Sequence, residues 1–119
     1  MTDTATLDKA LNDTILSGQI MEAFEKFYAD DVVMQENASD PFVGKAVNRD
    51  REQAFVDSVA EFHGAEILAT STAGDVSFSE WMMDITFQDG NRKKLEQVAV
   101  RRWKDGQVVS ERFYYDTAG

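Results

Sequence analysis

The chain has 119 residues, a length typical of one domain, and we expect residues 1–119 to form a single unit. Its formal net charge of −10 argues against nucleic acid and against anionic membrane surfaces as partners, because both would repel it. The absence of cysteine excludes disulfides and thiolate metal sites, and no apolar run is long enough for a signal peptide or a membrane span, so we expect a cytoplasmic protein.

Helical spacing dominates the first half of the sequence. Leu7, Leu11 and Ile15 recur every four residues and predict a first helix over Thr4–Leu16, which Ser17-Gly18 ends. A second, shorter helix ends near residues 28–31. It presents one apolar face, made of Ile20, Phe24, Phe27 and Tyr28.

A short strand and a third helix follow. Residues 32–34 are an apolar strand, and residues 37–44 read as a loop around Pro41. Asn48 or Asp50 is expected to cap the third helix, which ends at His63-Gly64. Its buried residues are predicted to be Phe55, Val59 and Phe62. At this helix end, His63 either bonds the final carbonyls or faces a pocket.

Alternating polarity in the second half predicts four strands, over residues 66–72, 76–87, 92–103 and 108–115. Gly74-Asp75, Asp89-Gly90 and Asp105-Gly106 mark the turns between them, which makes an antiparallel meander. Helices followed by strands predict an α+β domain with the helices on one face of the sheet. In the second strand, one face carries Trp81, Met83, Ile85 and Phe87.

Three segments carry a resemblance to a known family: residues 17–33, which include Phe27-Tyr28-Ala29-Asp30-Asp31-Val32-Val33, then Phe42-Val43-Gly44-Lys45, and residues 103–116. Their order and spacing are similar to the nuclear transport factor 2-like superfamily and, within it, to the SnoaL-like group that includes polyketide cyclases. The resemblance implies three N-terminal helices packed on a strongly curved antiparallel sheet, which forms a cone with an internal pocket. It also implies a homodimer through the outer sheet face.

Ketosteroid isomerase, which the chain resembles in fold, offers a comparison for the pocket. Its general base matches Glu36, but its two oxyanion donors fall on Leu11 and Ala99, whose side chains cannot donate a hydrogen bond. Because the loss of one such donor typically costs about 2.7–4 kcal/mol of transition-state stabilisation, we do not expect isomerisation by that mechanism.

The same resemblance directs one face of each of the last two strands into the pocket: Gln97, Ala99, Arg101 and Trp103, then Glu111, Phe113 and Tyr115. A one-residue slip would bring Val98 and Val100 there instead. Arg101 and Glu111 then lie on neighbouring strands, either as a structural ion pair or as an Arg that binds an anion while Glu111, Glu36 or Tyr115 handles protons.

Three hypotheses of function follow. The first is an acid–base enzyme, of the isomerase, dehydratase, cyclase or hydrolase type, that acts on a small apolar molecule through Glu36, Arg101, Glu111 and Tyr115. The second is a non-catalytic ligand-binding protein, and the third is an association domain that uses its outer sheet face. One His and no Cys exclude the usual zinc sites, and no cofactor motif is present. Predicted ligand contacts are Tyr28, Phe42, Phe55, Trp81, Met83, Gln97 and Phe113.

Overall fold

The structure, a computed structural model, describes residues 3–116. Its three helices are α1 (Thr4–Leu16), α2 (Ile20–Phe27) and α3 (Lys45–Ser58). Its six strands are β1 (Tyr28–Glu36), β2 (Phe42–Val43), β3 (Val59–Ala73), β4 (Val76–Phe87), β5 (Arg92–Lys104) and β6 (Gln107–Tyr114). The predicted bounds of α1 and β4 are confirmed, and none of the helices in this part of the chain is long and apolar enough to cross a bilayer.

The strands form one open sheet in the order β2-β1-β6-β5-β4-β3. Strands β3 to β6 make the predicted antiparallel meander, and the β5–β6 turn places both Asp105 and Gly106 at positive φ, as a tight two-residue hairpin requires. Strand β1 pairs with β6 in parallel, however, and with β2 antiparallel. The α+β fold with three helices is therefore confirmed, with a mixed sheet in place of a purely antiparallel one.

Helix α3 begins earlier than predicted. Its N-cap is Gly44, whose φ of 102° is a conformation that favours glycine. Asn48, expected to cap the helix, lies inside it and is fully buried. Its side-chain amide donates to the carbonyls of Phe42 (3.0 Å) and Gly44 (2.9 Å), so it fixes the segment that leads into the helix. The prediction of Asn48 or Asp50 as the cap was wrong.

Helix α3 also ends earlier, and the third strand is much longer than predicted. Val59 already pairs with Phe87 of β4, which makes it the first residue of β3 and not a helical core residue. Phe62 is 42% exposed on the same strand. His63 lies on β3 too, where its ring contacts the Thr86 hydroxyl at 2.7 Å, so its predicted place at a helix end was wrong.

The predicted strand parity is confirmed for β4, β5 and β6. Ala99, Arg101 and Trp103 are buried on one face of β5, and Glu111 is buried beside them on β6. The helices cover this inner face, and their apolar side chains join those of β1, β5 and β6 in one core: Leu11, Ala23, Phe24, Phe27, Tyr28, Val32, Met34, Trp103 and Val108. The outer face carries Val98, Val100 and the 44% exposed Tyr114, and a homodimer through it stays a prediction.

Candidate functional site

A cavity of about 380 Å³ lies between the helices and the inner face of the sheet. Its deep part is formed by buried side chains of α2, β4, β5 and β6, among them Phe24, Trp81 and Arg101. Its exposed lining residues, Lys94, Glu96 and Asp116, mark the side that opens to solvent. The volume falls within the range of small-molecule sites.

At the deep end of the cavity, Arg101 and Glu111 form a buried ion pair. Their side chains are 2% and 1% exposed, and the Arg101 Nε donates to Glu111 Oε2 at 2.6 Å. The Tyr28 hydroxyl donates to the other carboxylate oxygen, also at 2.6 Å. Strand pairing explains the contact, because Arg101 and Glu111 lie directly opposite each other in the β5–β6 register.

The other side of Arg101 is bound to helix α1. Its Nη1 donates to Asp8 Oδ1 at 2.8 Å and to Asn12 Oδ1 at 2.6 Å. The Asp8 carboxylate also accepts from the hydroxyls of Ser77 (2.7 Å) and Ser79 (2.9 Å) on β4. We call this set the buried network, made of Asp8, Asn12, Tyr28, Ser77, Ser79, Arg101, Trp103 and Glu111.

The buried network is internally satisfied. The Trp103 indole donates to the Ser77 hydroxyl at 2.9 Å, and the Asn12 amide donates to Ser79 at 3.0 Å. Within residues 3–116, no buried side-chain nitrogen or oxygen lacks a hydrogen-bond partner. Buried charge is tolerated only with such pairing, so the network docks α1 onto the sheet through polar contacts at one end of an apolar core.

The electrostatics of the network favour the protonated forms of Arg101 and Tyr28. Burial alone would lower the pKa of Arg101, but Glu111, Tyr28 and Asp8 outweigh it and raise that pKa. Burial, and then the neighbouring Glu111 charge, raise the pKa of Tyr28 well above its ordinary value, so its hydroxyl stays protonated and remains a donor. One arginine between two carboxylates leaves this region with an excess of negative charge.

Glu52, on helix α3, is the carboxyl group that this excess affects. It is half-buried, lines the cavity, and has no hydrogen-bond or ion-pair partner within the described part of the chain. Burial raises its pKa to about 7, and the Glu111 and Glu36 charges act in the same direction. Near neutral pH this carboxyl therefore exchanges readily between its two protonation states, as a general acid or base must.

Glu36 lies at the end of β1, also on the cavity lining, but it has a partner. The Arg51 guanidinium is 3.5 Å from its carboxylate, and the Glu36 side chain is 44% exposed. Tyr115 lines the same part of the cavity, where burial, then the Glu36 charge and a hydrogen bond that its hydroxyl donates to Glu36, raise its pKa. Glu36 is thus partly exposed to solvent and paired with Arg51, whereas Glu52 has no such partner in residues 3–116.

Comparison with known proteins agrees with this fold. The family model for the SnoaL-like domain matches residues 1–115. The chain belongs to the SnoaL-like domain family. No curated protein matches the sequence.

Several solved structures resemble this SnoaL-like domain. A protein from Mesorhizobium loti, described as a SnoaL-like polyketide cyclase, is 28% identical with a TM-score of 0.85, over 97% of this chain and 100% of that one. A protein from Xanthomonas campestris pv. campestris, described as a polyketide cyclase, is 19% identical with a TM-score of 0.79, over 95% and 90%. An LEH-like epoxide hydrolase from M. tuberculosis is 16% identical with a TM-score of 0.74, over 92% and 80%. The last two similarities concern the fold alone.

The structure of this SnoaL-like domain places most predicted site residues on one cavity. All four predicted catalytic residues line it, as do the predicted ligand contacts other than Phe42. Phe42 is not part of the lining; it is 37% exposed on β2, where the Arg51 guanidinium lies 3.8 Å from its ring centre. The lining residues from the prediction are Tyr28, Glu36, Phe55, Trp81, Met83, Gln97, Arg101, Glu111, Phe113 and Tyr115.

The sequence reasoning missed Glu52 and the α1 side of the network. Glu52 lies in a run of charged residues typical of a solvated helix face, but it precedes Phe55 by three residues and so shares its face. Asp8 and Asn12 show the same helical spacing beside the apolar Leu7 and Leu11. Polar residues spaced like the core stripe were the available signal in both cases.

The SnoaL-like domain offers no evident metal centre in its described part. Across residues 3–116, no three His, Asp or Glu side chains are grouped as metal ligands would be. The polar groups on the cavity lining are carboxyl, hydroxyl, amide, ammonium and guanidinium groups.

Proposed function

We propose that this SnoaL-like domain is an enzyme that catalyses a proton transfer on a small, largely apolar molecule, with Glu52 as the acid–base group. The observation that carries the proposal is the position of Glu52, a carboxyl without a protein partner on the wall of an otherwise mostly apolar cavity. Perturbed carboxyls in such places are candidates for catalysis.

The other charged lining groups support a division of roles. Arg101 and Glu111 are bound to each other and to α1 and β1, so they hold the deep end of the cavity rigid. Glu36 is neutralised by Arg51. Among the predicted catalytic residues, Tyr115 donates its hydroxyl hydrogen to Glu36, so the free donor at the lining is the Gln97 amide, which has no hydrogen-bond partner in residues 3–116.

The simplest reaction for this set is an isomerisation. Glu52 takes a proton from a carbon atom next to a carbonyl, so a C–H bond breaks as an O–H bond forms on the carboxyl. The Gln97 amide stabilises the resulting enolate oxygen by a hydrogen bond. When a carbon–carbon double bond is conjugated with this enolate, Glu52 returns the proton to the far end of that bond, the double bond shifts by one position, and the step needs no cofactor.

Deuterium exchange tests the proton transfer without knowledge of the natural substrate. We expect the protein in deuterium oxide to exchange the α-protons of 4-phenyl-2-butanone faster than buffer does, as followed by proton NMR. Because a positioned base contributes about 10²–10⁴-fold, Glu52→Gln should lose about that factor. The exchange rate should rise with pH and level off above about 7, as Glu52 becomes fully ionised.

Glu66→Gln is the matched control for this experiment. Glu66 is an exposed carboxylate on β3 that does not line the cavity, and its replacement should leave exchange unchanged. If the ketone binds but exchanges no faster with the wild-type protein than with Glu52→Gln, the acid–base proposal fails for this class of compound. The non-catalytic binding hypothesis would then be the better account.

A further inference from the structure

We propose that the cavity takes a small organic cation, an ammonium group with apolar substituents, which lies beside Glu52. The inference names the ligand class of the site in the proposed function and rests on that site. It does not depend on whether proton transfer occurs there.

Behind the exposed rim of the cavity, the pairing of charges among the described residues leaves Glu52 without a counterion in contact. Arg101 is shared between Glu111 and Asp8, and Arg51 is paired with Glu36. Glu52 has no cation or hydrogen-bond donor in contact among residues 3–116. A ligand cation would supply the missing partner and remove the cost of a half-buried, unpaired carboxylate.

The walls of the cavity suit the same ligand. Six of its lining side chains carry aromatic rings: Phe24, Tyr28, Phe55, Trp81, Phe113 and Tyr115. Aromatic faces attract cations, and quaternary ammonium groups are commonly held by several rings together with a carboxylate. The apolar substituents of the ligand would contact the same rings, since ring surfaces bury hydrocarbon as readily as they attract charge.

The charge balance disfavours an anionic ligand. Acidic side chains outnumber basic ones by five to three in the lining, and the whole chain carries a formal charge of −10. A ligand carboxylate would meet Glu52 and Glu111 in the interior, where the arginine is already bound by two carboxylates. The field of the protein therefore attracts cations to the cavity and repels anions from it.

Three aromatic probes that differ in charge test the inference by isothermal titration calorimetry at about pH 8: benzyltrimethylammonium, benzyl alcohol and phenylacetate. We expect the cation to bind about tenfold more tightly than the alcohol, as one partly screened charge pair allows, and phenylacetate to bind most weakly. Glu52→Gln should reduce the affinity for the cation to that for the alcohol, while Glu66→Gln should retain the preference. High salt should weaken the binding of the cation but not that of the alcohol.

Several outcomes overturn the inference. They are no binding of the cation at millimolar concentration, an affinity for phenylacetate equal to or above that for the cation, and an unchanged preference in Glu52→Gln. The two proposals fail separately. Cation preference without deuterium exchange removes the enzyme and keeps the ligand class, whereas exchange of the neutral ketone without cation preference does the reverse.

Discussion

Two carboxylate sites on the same cavity differ in how the protein treats a buried charge. Glu111 receives the Arg101 guanidinium and the Tyr28 hydroxyl, each at 2.6 Å, and its side chain is 1% exposed. Glu52 receives no such donor within the described residues, and burial raises its pKa to about 7. The fully paired site stabilises one arrangement of the chain, while the unpaired one costs stability and leaves a carboxyl group facing the cavity.

Among the variants that test this contrast, Arg101→Met should have the largest effect on stability. The variant leaves Glu111 and Asp8 buried without their common cation, so we expect the free energy of unfolding to fall by about 3–5 kcal/mol. Urea denaturation at neutral pH measures the change. Arg102→Met is the control, because Arg102 follows on the same strand but is exposed. A similar loss in both variants would contradict the importance of the pairing.

Glu52→Gln should stabilise the folded state, whereas Arg101→Met should destabilise it. The folded-state pKa of about 7 lies above the ordinary value of 4.5, so the folded state binds more protons than the unfolded state between these values. The contribution of Glu52 to stability therefore falls as pH rises from about 4.5 to 7 and stays low above that.

The variant removes this pH dependence. It should be more stable than the wild-type protein at about pH 8, by at most about 3 kcal/mol, and nearly equal to it at about pH 4. Thermal or urea unfolding at the two pH values measures the difference, with Glu66→Gln as the exposed control. A variant that is less stable at about pH 8 would show that Glu52 has a favourable partner.

Tyr28→Phe should have the smallest of the three effects on the free energy of unfolding. The change removes one of two donors to a buried carboxylate, and we expect a loss of about 2 kcal/mol in the free energy of unfolding. Tyr114→Phe, at a 44% exposed ring, should change little. In a double-mutant cycle with Arg101→Met, the two losses should not add, because both act on Glu111.

The sequence predicted the parts of the fold that local patterns control. The spacing of Leu7, Leu11 and Ile15 predicted α1 with its observed bounds, and the Asp-Gly turns predicted the hairpins. The end of α3 could not be predicted in this way. Val59 continues the apolar spacing of a helix, but pairing with β4 makes it part of a strand, and tertiary contacts overrode the local pattern.

The candidate site was only partly predictable for a related reason. The Arg101–Glu111 pair follows from strand register, which the alternation of polar and apolar residues specifies once the parity is known. Asp8 and Glu52 are on helices, and their contacts depend on how those helices pack against the sheet. Their spacing beside Leu11 and Phe55 indicates the buried face of each helix, but it does not specify which strand or cavity that face meets.

The position of β6 between β1 and β5 has a consequence for how the chain folds. Within the sheet, the segment β2-β1 and the segment β5-β4-β3 meet only through this strand, which is the most C-terminal of the six. Its pairing with β1 brings Tyr28 opposite Val108, across most of the sequence. Contacts so distant along the chain slow folding, because a long loop must close before they form. The cavity cannot acquire its deep end until this last closure, so binding competence should appear late in folding.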